Sequence, residues 1–286
     1  MAHARTIGIF ANRTKPYALA VTDKLVEMLM RHDASVFVDA ETAEAIDRPE
    51  LAQSLDELPT ASDLLCILGG DGTLLGAARR FAAHDIPLLG INIGHLGFLT
   101  EAEPQDLDVV VSRVLAGDYH LERRMMIHTC VMRQGKCVHQ TIGLNDAGIG
   151  KGSFARMISV SIYVDDEFYD EFTGDGLIVS TPTGSTAYSL SCGGPIVVPH
   201  MDLMILTPIC AHKLVARPCV ISGEQKVRVV VSATHRDLGL TVDGQVGFAL
   251  QSGDEVIVER ANYYTTLVRW NEKAFFTILQ NKLGGD

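Results

Sequence analysis

An α/β unit followed by an all-β unit is the fold class this sequence predicts, and three observations predict it. In the first third, short apolar runs without polar alternation are separated by stretches with apolar residues at helical spacing, the pattern of a parallel sheet covered on both faces. After about residue 118, short β-prone runs follow one another, and Gln134-Gly135, Asp243-Gly244 and Ser252-Gly253 mark turns between several of them. Hydrophobic residues make up 47% of the chain and charged residues 21%, so packed cores are expected rather than disorder.

Taken in order, residues 6–10 form the first strand, and 17–30 a helix with Leu19, Val21, Leu25, Met28 and Leu29 at helical spacing. His32-Asp33 breaks the pattern before a second strand at 35–38. A continuous apolar strand at 64–68 runs into Gly69-Gly70-Asp71-Gly72. A helix over 73–84, a strand over 87–91 and a short helix over 106–115 complete this part. The β-prone runs that follow are 129–132, 138–144, 158–164, 177–180, 227–231, 238–242 and 255–260, expected to pair antiparallel. An amphipathic helix over 273–282 closes the chain. The organisation expected is one domain over 1–118, a second over 119–268, and a C-terminal segment over 269–286 that packs back on the first.

Composition excludes several classes of function. The net charge of −11 supplies no positive field for nucleic acid or anionic lipid. It leaves room for a phosphate-bearing small ligand, because backbone amides hold phosphates without net positive charge. The apolar runs are too short to span a bilayer, and the N-terminus lacks the sustained apolar stretch of an export signal. The expected location is therefore the cytoplasm. Six scattered cysteines include no Cys-x-x-Cys pair and read as reduced thiols.

Three stretches carry chemistry. In Gly69-Gly70-Asp71-Gly72-Thr73, a buried strand leads through glycines into a helix, which places the loop at the carboxyl end of a parallel sheet. Glycines let amides approach a phosphate, and the helix adds a positive dipole end. Asp71 would repel that phosphate unless a metal sits between them or a substrate hydroxyl faces it. Both circumstances fit phosphoryl transfer, in which a carboxylate orients an attacking hydroxyl and accepts its proton; the bland alternative is a helix cap beside turn glycines. The second stretch runs from Thr173-Gly174-Asp175-Gly176 through Ser180 and a dense Ser/Thr/Gly run to Cys192-Gly193-Gly194-Pro195. Its short donors and acceptors suit sugar hydroxyls and base edges, with little bulk to block a flat ligand. The third is Asn145-Asp146 at a strand end, which by itself reads as a turn.

Together these stretches resemble the NAD kinase family over nearly the whole chain. The resemblance rests on Gly69 to Thr73, on Asn92-Ile93-Gly94-His95-Leu96-Gly97-Phe98-Leu99-Thr100, on Asn145-Asp146, on Asp175-Gly176 with the run to Pro195, and on Asp243-Gly244-Gln245. It implies a Rossmann-like N-terminal domain, a C-terminal β-sandwich, and assembly as a homodimer or homotetramer. It also implies transfer of the γ-phosphoryl group of ATP, or of polyphosphate, to the 2′-hydroxyl of the adenosine ribose of NAD, with a divalent cation such as Mg²⁺. Carried over by position, Asp71 is the proton acceptor, with Gly72 beside it at the dinucleotide. Asn145 and Asp146 contact the acceptor nucleotide, and Arg156, Thr173 and Asp175 line the same site. Thr186, Ala187, Tyr188, Ser189, Leu190 and Ser191 wrap the dinucleotide, and Cys210 and Gln245 match two further contacts. Departures are small: Asp146 stands where Glu is frequent, and Cys192 and Cys210 where Ala is usual. The Gly148 to Ser153 stretch lacks P-loop spacing and is given at most a supporting role. The adjacent Arg123-Arg124 pair is expected to be solvated, and Met125, Met126 and Trp270 to be core or interface. A lipid or sugar kinase with the same Gly-Gly-Asp-Gly loop, or a dinucleotide sensor without turnover, are the competing readings.

Overall fold

The computed structural model describes residues 4–94, 97–152, 156–270 and 274–283, and its chain divides into two units, Met1–Arg123 with Thr265–Asp286, and Arg124–Tyr264. The first unit runs β1 (Thr6–Ala11), α1 (Pro16–Arg31), β2 (Ser35–Asp39), α2 (Ala40–Ala45), β3 (Ala52–Gln53), β4 (Leu64–Gly69), α3 (Asp71–Phe81), β5 (Leu88–Asn92) and α4 (Leu107–Ala116). Its strands pair in the order β3-β2-β1-β4-β5, every pairing parallel. All six residues of β4 and all five of β5 are buried, which is why both read as unbroken apolar runs. Helix α1 turns Ala18, Val21, Leu25, Val26 and Leu29 into the core, and α4 adds Leu107, Val110, Val111 and Val114. Helix α2 escapes the periodicity because it is short; the Asp39 carboxylate starts it by accepting from the Thr42 amide at 3.1 Å.

The second unit is built from β6 (His120–Arg133), β7 (Lys136–Gly143), β8 (Asp146–Lys151), β9 (Ile158–Val164), β10 (Glu167–Gly174), β11 (Gly176–Ser180), the single turn α5 (Tyr188–Ser191), β12 (Leu203–Ile209), β13 (Cys219–Ser222), β14 (Val227–Ser232), β15 (Leu238–Val242), β16 (Val246–Leu250) and β17 (Glu255–Arg269). Strands β6 and β17 contribute residues to both units. One antiparallel sheet contains β10-β9-β14-β17, and the other has the order β13-β12-β11-β8-β15-β16. Alternate residues from both meet in one core: Ile158, Val160, Ile162, Val227 and Val229 from the first, and Ala147, Ile149, Leu177, Val179, Leu240 and Val242 from the second. This is a β-sandwich, produced by period-two patterning on each sheet.

Past residue 264, β17 joins the first unit, where Leu267 pairs in parallel with Leu88 and Val268 enters the core. The final helix, α6 (Ala274–Leu283), follows. Among the described residues no helix is long and apolar enough to cross a membrane, and all six cysteines are free thiols. Met125 and Met126 are core residues, and Trp270 packs partly buried against the first core. Arg124 corrects an expectation: it is 4% exposed rather than solvated, and its Nη1 donates to Thr183 Oγ1 at 3.3 Å.

Candidate functional site

In the first unit, β4 delivers Gly69 and Gly70 to the start of α3. The helix begins at Asp71, two residues earlier than its apolar spacing predicts, because the Gly70 carbonyl already accepts from the Thr73 and Leu74 amides at 2.9 and 3.1 Å. Asp71 therefore stands in the first helical turn, and Gly72 is exposed beside it. The Asp71 carboxylate is held on one side. Phe98 N–H donates to Oδ2 at 2.8 Å and Leu99 N–H donates to Oδ1 at 3.2 Å. Gly97 makes this possible: a Cβ there would overlap the carboxylate. Gly69 has no Cβ for a similar reason, since one would strike Thr73. Thr73 Oγ1 in turn accepts from Asn12 Nδ2 at 3.1 Å. Each Asp71 oxygen takes one amide and retains acceptor capacity for a hydroxyl or a cation. His95 and Leu96 of the quoted motif lie outside the described residues.

In the second unit, the Asp243 carboxylate gathers three consecutive amides. Leu144 N–H donates to one oxygen at 3.1 Å; Asn145 and Asp146 N–H donate to the other at 2.7 and 3.2 Å. Asp243 adopts φ 52 at the β15–β16 turn, and its own amide returns a bond to the Asp146 carbonyl at 2.9 Å. Sequence reading quoted Asp243 only as part of a motif; its role as anchor needed the fold. The Asn145-Asp146 pair is thus clamped at the entry of β8. Thr181 seals the other side, donating its hydroxyl to the Leu144 carbonyl at 2.6 Å and its amide to the Asn145 carbonyl at 2.8 Å. Gly184 packs so closely on that carbonyl that a Cβ would collide with it. Asn145 Oδ1 is buried with no hydrogen-bond partner among the described residues, an acceptor held ready for a donor. Burial and the neighbouring Asp243 charge push the Asp146 carboxyl up to about 7.

Strand β8 also forms the floor of a cavity. Gly150 lies opposite Gly176 of β11 on one side and Gly239 of β15 on the other. Cross-strand partners share a face, but of this row only Gly150 and Gly239 line the open side, since a Cβ on Gly176 would strike the Ile149 carbonyl. The next row is Ile178, Gly148 and Thr241. Above this floor is a cavity of about 450 Å³ lined by Gly148, Gly150, Lys151, Asp175, Tyr188 and Thr241, among others. Lys151 Nζ lies 3.3 Å from Asp175 Oδ1. The alternate glycines of β8 were visible in the sequence, but only register shows that they line up with Gly176 and Gly239.

Asp175 and Tyr188 line that cavity together. Burial raises the Tyr188 hydroxyl, reinforced by Cys192, Cys210 and Asp175, so these four lie within electrostatic reach. Cys192 is likewise raised by burial, against a hydrogen bond with Tyr188 that lowers it, with Cys210 and Asp146 adding to the rise. Thr186 closes a 3-10 turn with its hydroxyl on the Thr183 carbonyl at 3.3 Å, and Ala187 N–H follows on the Gly184 carbonyl at 2.9 Å. Ser189 is fully buried, its hydroxyl 2.8 Å from that of Thr207, whereas Leu190 is half-buried and Ser191 exposed. Thr173 is exposed, with its carbonyl accepting from His212 N–H at 2.7 Å. Cys210 is exposed in the left-handed region at φ 47. Arg156 is exposed and uses its carbonyl to meet His235 Nε2 at 2.7 Å, and Gln245 is exposed on the β15–β16 turn.

Comparison with known proteins gives a consistent picture. Residues 7–119 match the family model described as the ATP-NAD kinase N-terminal domain, and residues 144–270 match that of the ATP-NAD kinase C-terminal domain. The NAD kinase of Moorella thermoacetica is 45% identical over 277 residues, covering 97% of this chain and 88% of that protein. The NAD kinase of Natranaerobius thermophilus is 40% identical over 281 residues, covering 98% of both. Among solved structures, yeast NADH kinase complexed with NADH superimposes with a TM-score of 0.90 at 26% identity, over 100% of this chain and 89% of that one. An NAD kinase from Archaeoglobus fulgidus in complex with ATP gives 0.78 at 25% identity, over 98% of this chain and 100% of that one.

Proposed function

The chain belongs to the ATP-NAD kinase family, and on that premise we propose that it transfers the γ-phosphoryl group of ATP to the 2′-hydroxyl of the adenosine ribose of NAD, giving NADP. The observation that carries this reading is the Asp71 carboxylate, fixed by the Phe98 and Leu99 amides at the start of a helix that follows a glycine turn. Its role is to orient the 2′-hydroxyl and to accept its proton as the phosphoryl group arrives. Asn145 and Asp146, clamped by Asp243, recognise the acceptor nucleotide. Asp146 in its ionised form accepts ribose hydroxyls, and Asn145 Oδ1 accepts from a base amino group or a sugar hydroxyl. Asp175 and the stretch from Thr186 to Ser191 enclose the dinucleotide, whose flat rings suit the bare glycine floor; Arg156, Thr173, Cys210 and Gln245 add contacts at the margin.

Mg²⁺ fits this chemistry through phosphates and one carboxylate, since it keeps several waters and seldom needs a full protein cage. Asp71 would supply that carboxylate from the acceptor capacity its amide partners leave. When bound, such a cation offsets charge on the transferred phosphates. Assembly as a homodimer or homotetramer belongs to the same reading and rests on the family resemblance, and residence in the cytoplasm is proposed alongside it.

The test is Asp71→Asn in the full chain. Turnover of NAD to NADP should fall by about 10²- to 10⁴-fold, while calorimetric titration with NAD still shows binding and the melting temperature is kept. Near-normal kcat in this variant would remove Asp71 from the reaction. NAD binding without any NADP from the parent chain would instead identify a sensor.

A further inference from the structure

Asp71 owes its orientation to a loop, and the loop is itself held by a buried guanidinium. Arg269, in the last part of β17, is 4% exposed. Its Nη2 donates to the Phe98 carbonyl at 3.1 Å, and its Nη1 donates to the Thr100 carbonyl at 3.2 Å and to Glu101 Oε2 at 2.7 Å. Nε lies 3.4 Å from Glu122 Oε2. The other Glu101 oxygen accepts from Trp270 N–H at 3.2 Å, so the acid and the arginine are locked to each other and to the strand.

The Phe98 carbonyl and the Leu99 N–H belong to one planar trans peptide. The Arg269 bond holds the carbonyl end of that plane, and Asp71 Oδ1 meets the N–H end. Fixing one end fixes the other, and a donor on the carbonyl strengthens the N–H as a donor. The Thr100 carbonyl bond pins the loop two residues further on, where the Thr100 hydroxyl also accepts from Gly97 N–H at 3.0 Å. From α6, Lys282 adds a third restraint, its Nζ 5.5 Å from the centre of the Phe98 ring.

We propose that Arg269 is a positioning residue for phosphoryl transfer: it sets the Phe98–Leu99 peptide plane and through it the Asp71 carboxylate. This rests on the proton-acceptor role proposed for Asp71. The planar fork matters more than the charge, because a lysine could keep the ion pair with Glu101 but could not hold two carbonyls and two carboxylates at once.

The experiment compares Arg269→Lys and Glu101→Gln with the parent in the full-length chain. It measures kcat, KM for NAD and ATP, and amide hydrogen exchange resolved to Phe98 and Leu99. Arg269→Lys should lower kcat by about 10- to 100-fold, as expected for a catalytic group displaced by about 1 Å, with both KM values within about twofold. Exchange at Phe98 and Leu99 should quicken by at least about tenfold while β1 and β4 stay protected. Glu101→Gln should act in the same direction, and it carries the test if Arg269→Lys does not fold. Unchanged kcat, a change confined to KM, or a fall in kcat with parental exchange at Phe98 and Leu99 would each overturn the proposal. Asp71→Asn measured alongside separates the two claims. Retained turnover there refutes the proton-acceptor role, whereas the exchange data judge the Arg269 relay on its own.

Discussion

At the scale of the residue, the site depends on where side chains are missing as much as on where they are present. Gly97 lets the Asp71 carboxylate reach two amides. Gly97→Ala should force that carboxylate off its donors, lowering kcat by at least about tenfold with little change in KM, the signature of an interaction realised in the transition state. An equal kcat in steady-state assays would show that the carboxylate is not needed where it stands. Asp146 makes a different prediction. Its carboxyl is raised from 3.8 to about 7, first by burial and then by Asp243. Below about pH 4 the folded and unfolded chains both hold the proton, so the native state keeps its full stability. Between pH 4 and 7 the unfolded chain ionises while the folded one retains the proton, so stability falls with rising pH, by on the order of 4 kcal/mol at most. Above about pH 7 this contribution is flat. Urea midpoints across that window should therefore slope less in Asp146→Asn than in the parent. In the same window the KM for NAD should fall as pH rises through about 7 and the carboxylate ionises, and the variant should lose that dependence.

At the scale of the element, β8 shows how a strand can be chosen for what it leaves out. Its core-facing residues Ala147 and Ile149 obey the alternation of any sandwich strand, while Gly148 and Gly150 on the other face weaken its β-propensity. The glycines are tolerated because β11 and β15 supply a full ladder on both sides. Gly239 is the place to test the floor, since an added Cβ there meets nothing nearer than the Phe248 carbonyl at 3.9 Å. Gly239→Leu should leave the melting temperature within a few degrees and raise the KM for NAD by about tenfold or more, by filling the cavity. A normal KM would detach the cavity from dinucleotide recognition. Two of the strands that the apolar pattern did not reveal have a physical cause for it. In β10 most side chains are exposed, so no apolar alternation appears, and β8 lacks half its side chains. β4 and β5, buried on both faces, read as unbroken apolar runs, whereas β12, whose first five residues are also buried, was not among the expected strands.

At the scale of the whole molecule, the chain builds two cores, and the first is completed by its C-terminal residues. Leu267 and Val268 are each 1% exposed, and burying side chains of that size stabilises by about 1.5–3 kcal/mol apiece. A chain ending at Tyr264 also loses Arg269. It should make no NADP, and limited proteolysis should digest residues 4–123 while leaving a resistant fragment within 124–264. Resistance of the first part would show that it needs no closing strand. Sequence alone determined the α/β-then-β order, the helix and strand periods, and the three chemical stretches, because periodicity and glycine punctuation are local properties of a chain. It also placed Asp71 among the residues of interest through its glycine context, whereas Asn145-Asp146, which alone reads as a turn, was given a site role only by the family resemblance. Only tertiary structure decided that Asp71 lies inside a helix start rather than before it, that Asp243 clamps residues 144–146, that three glycines from three strands align, and that Arg269 holds the loop facing Asp71. The last three join residues far apart in the chain, and their meeting is fixed by strand register and packing, which no local spacing encodes.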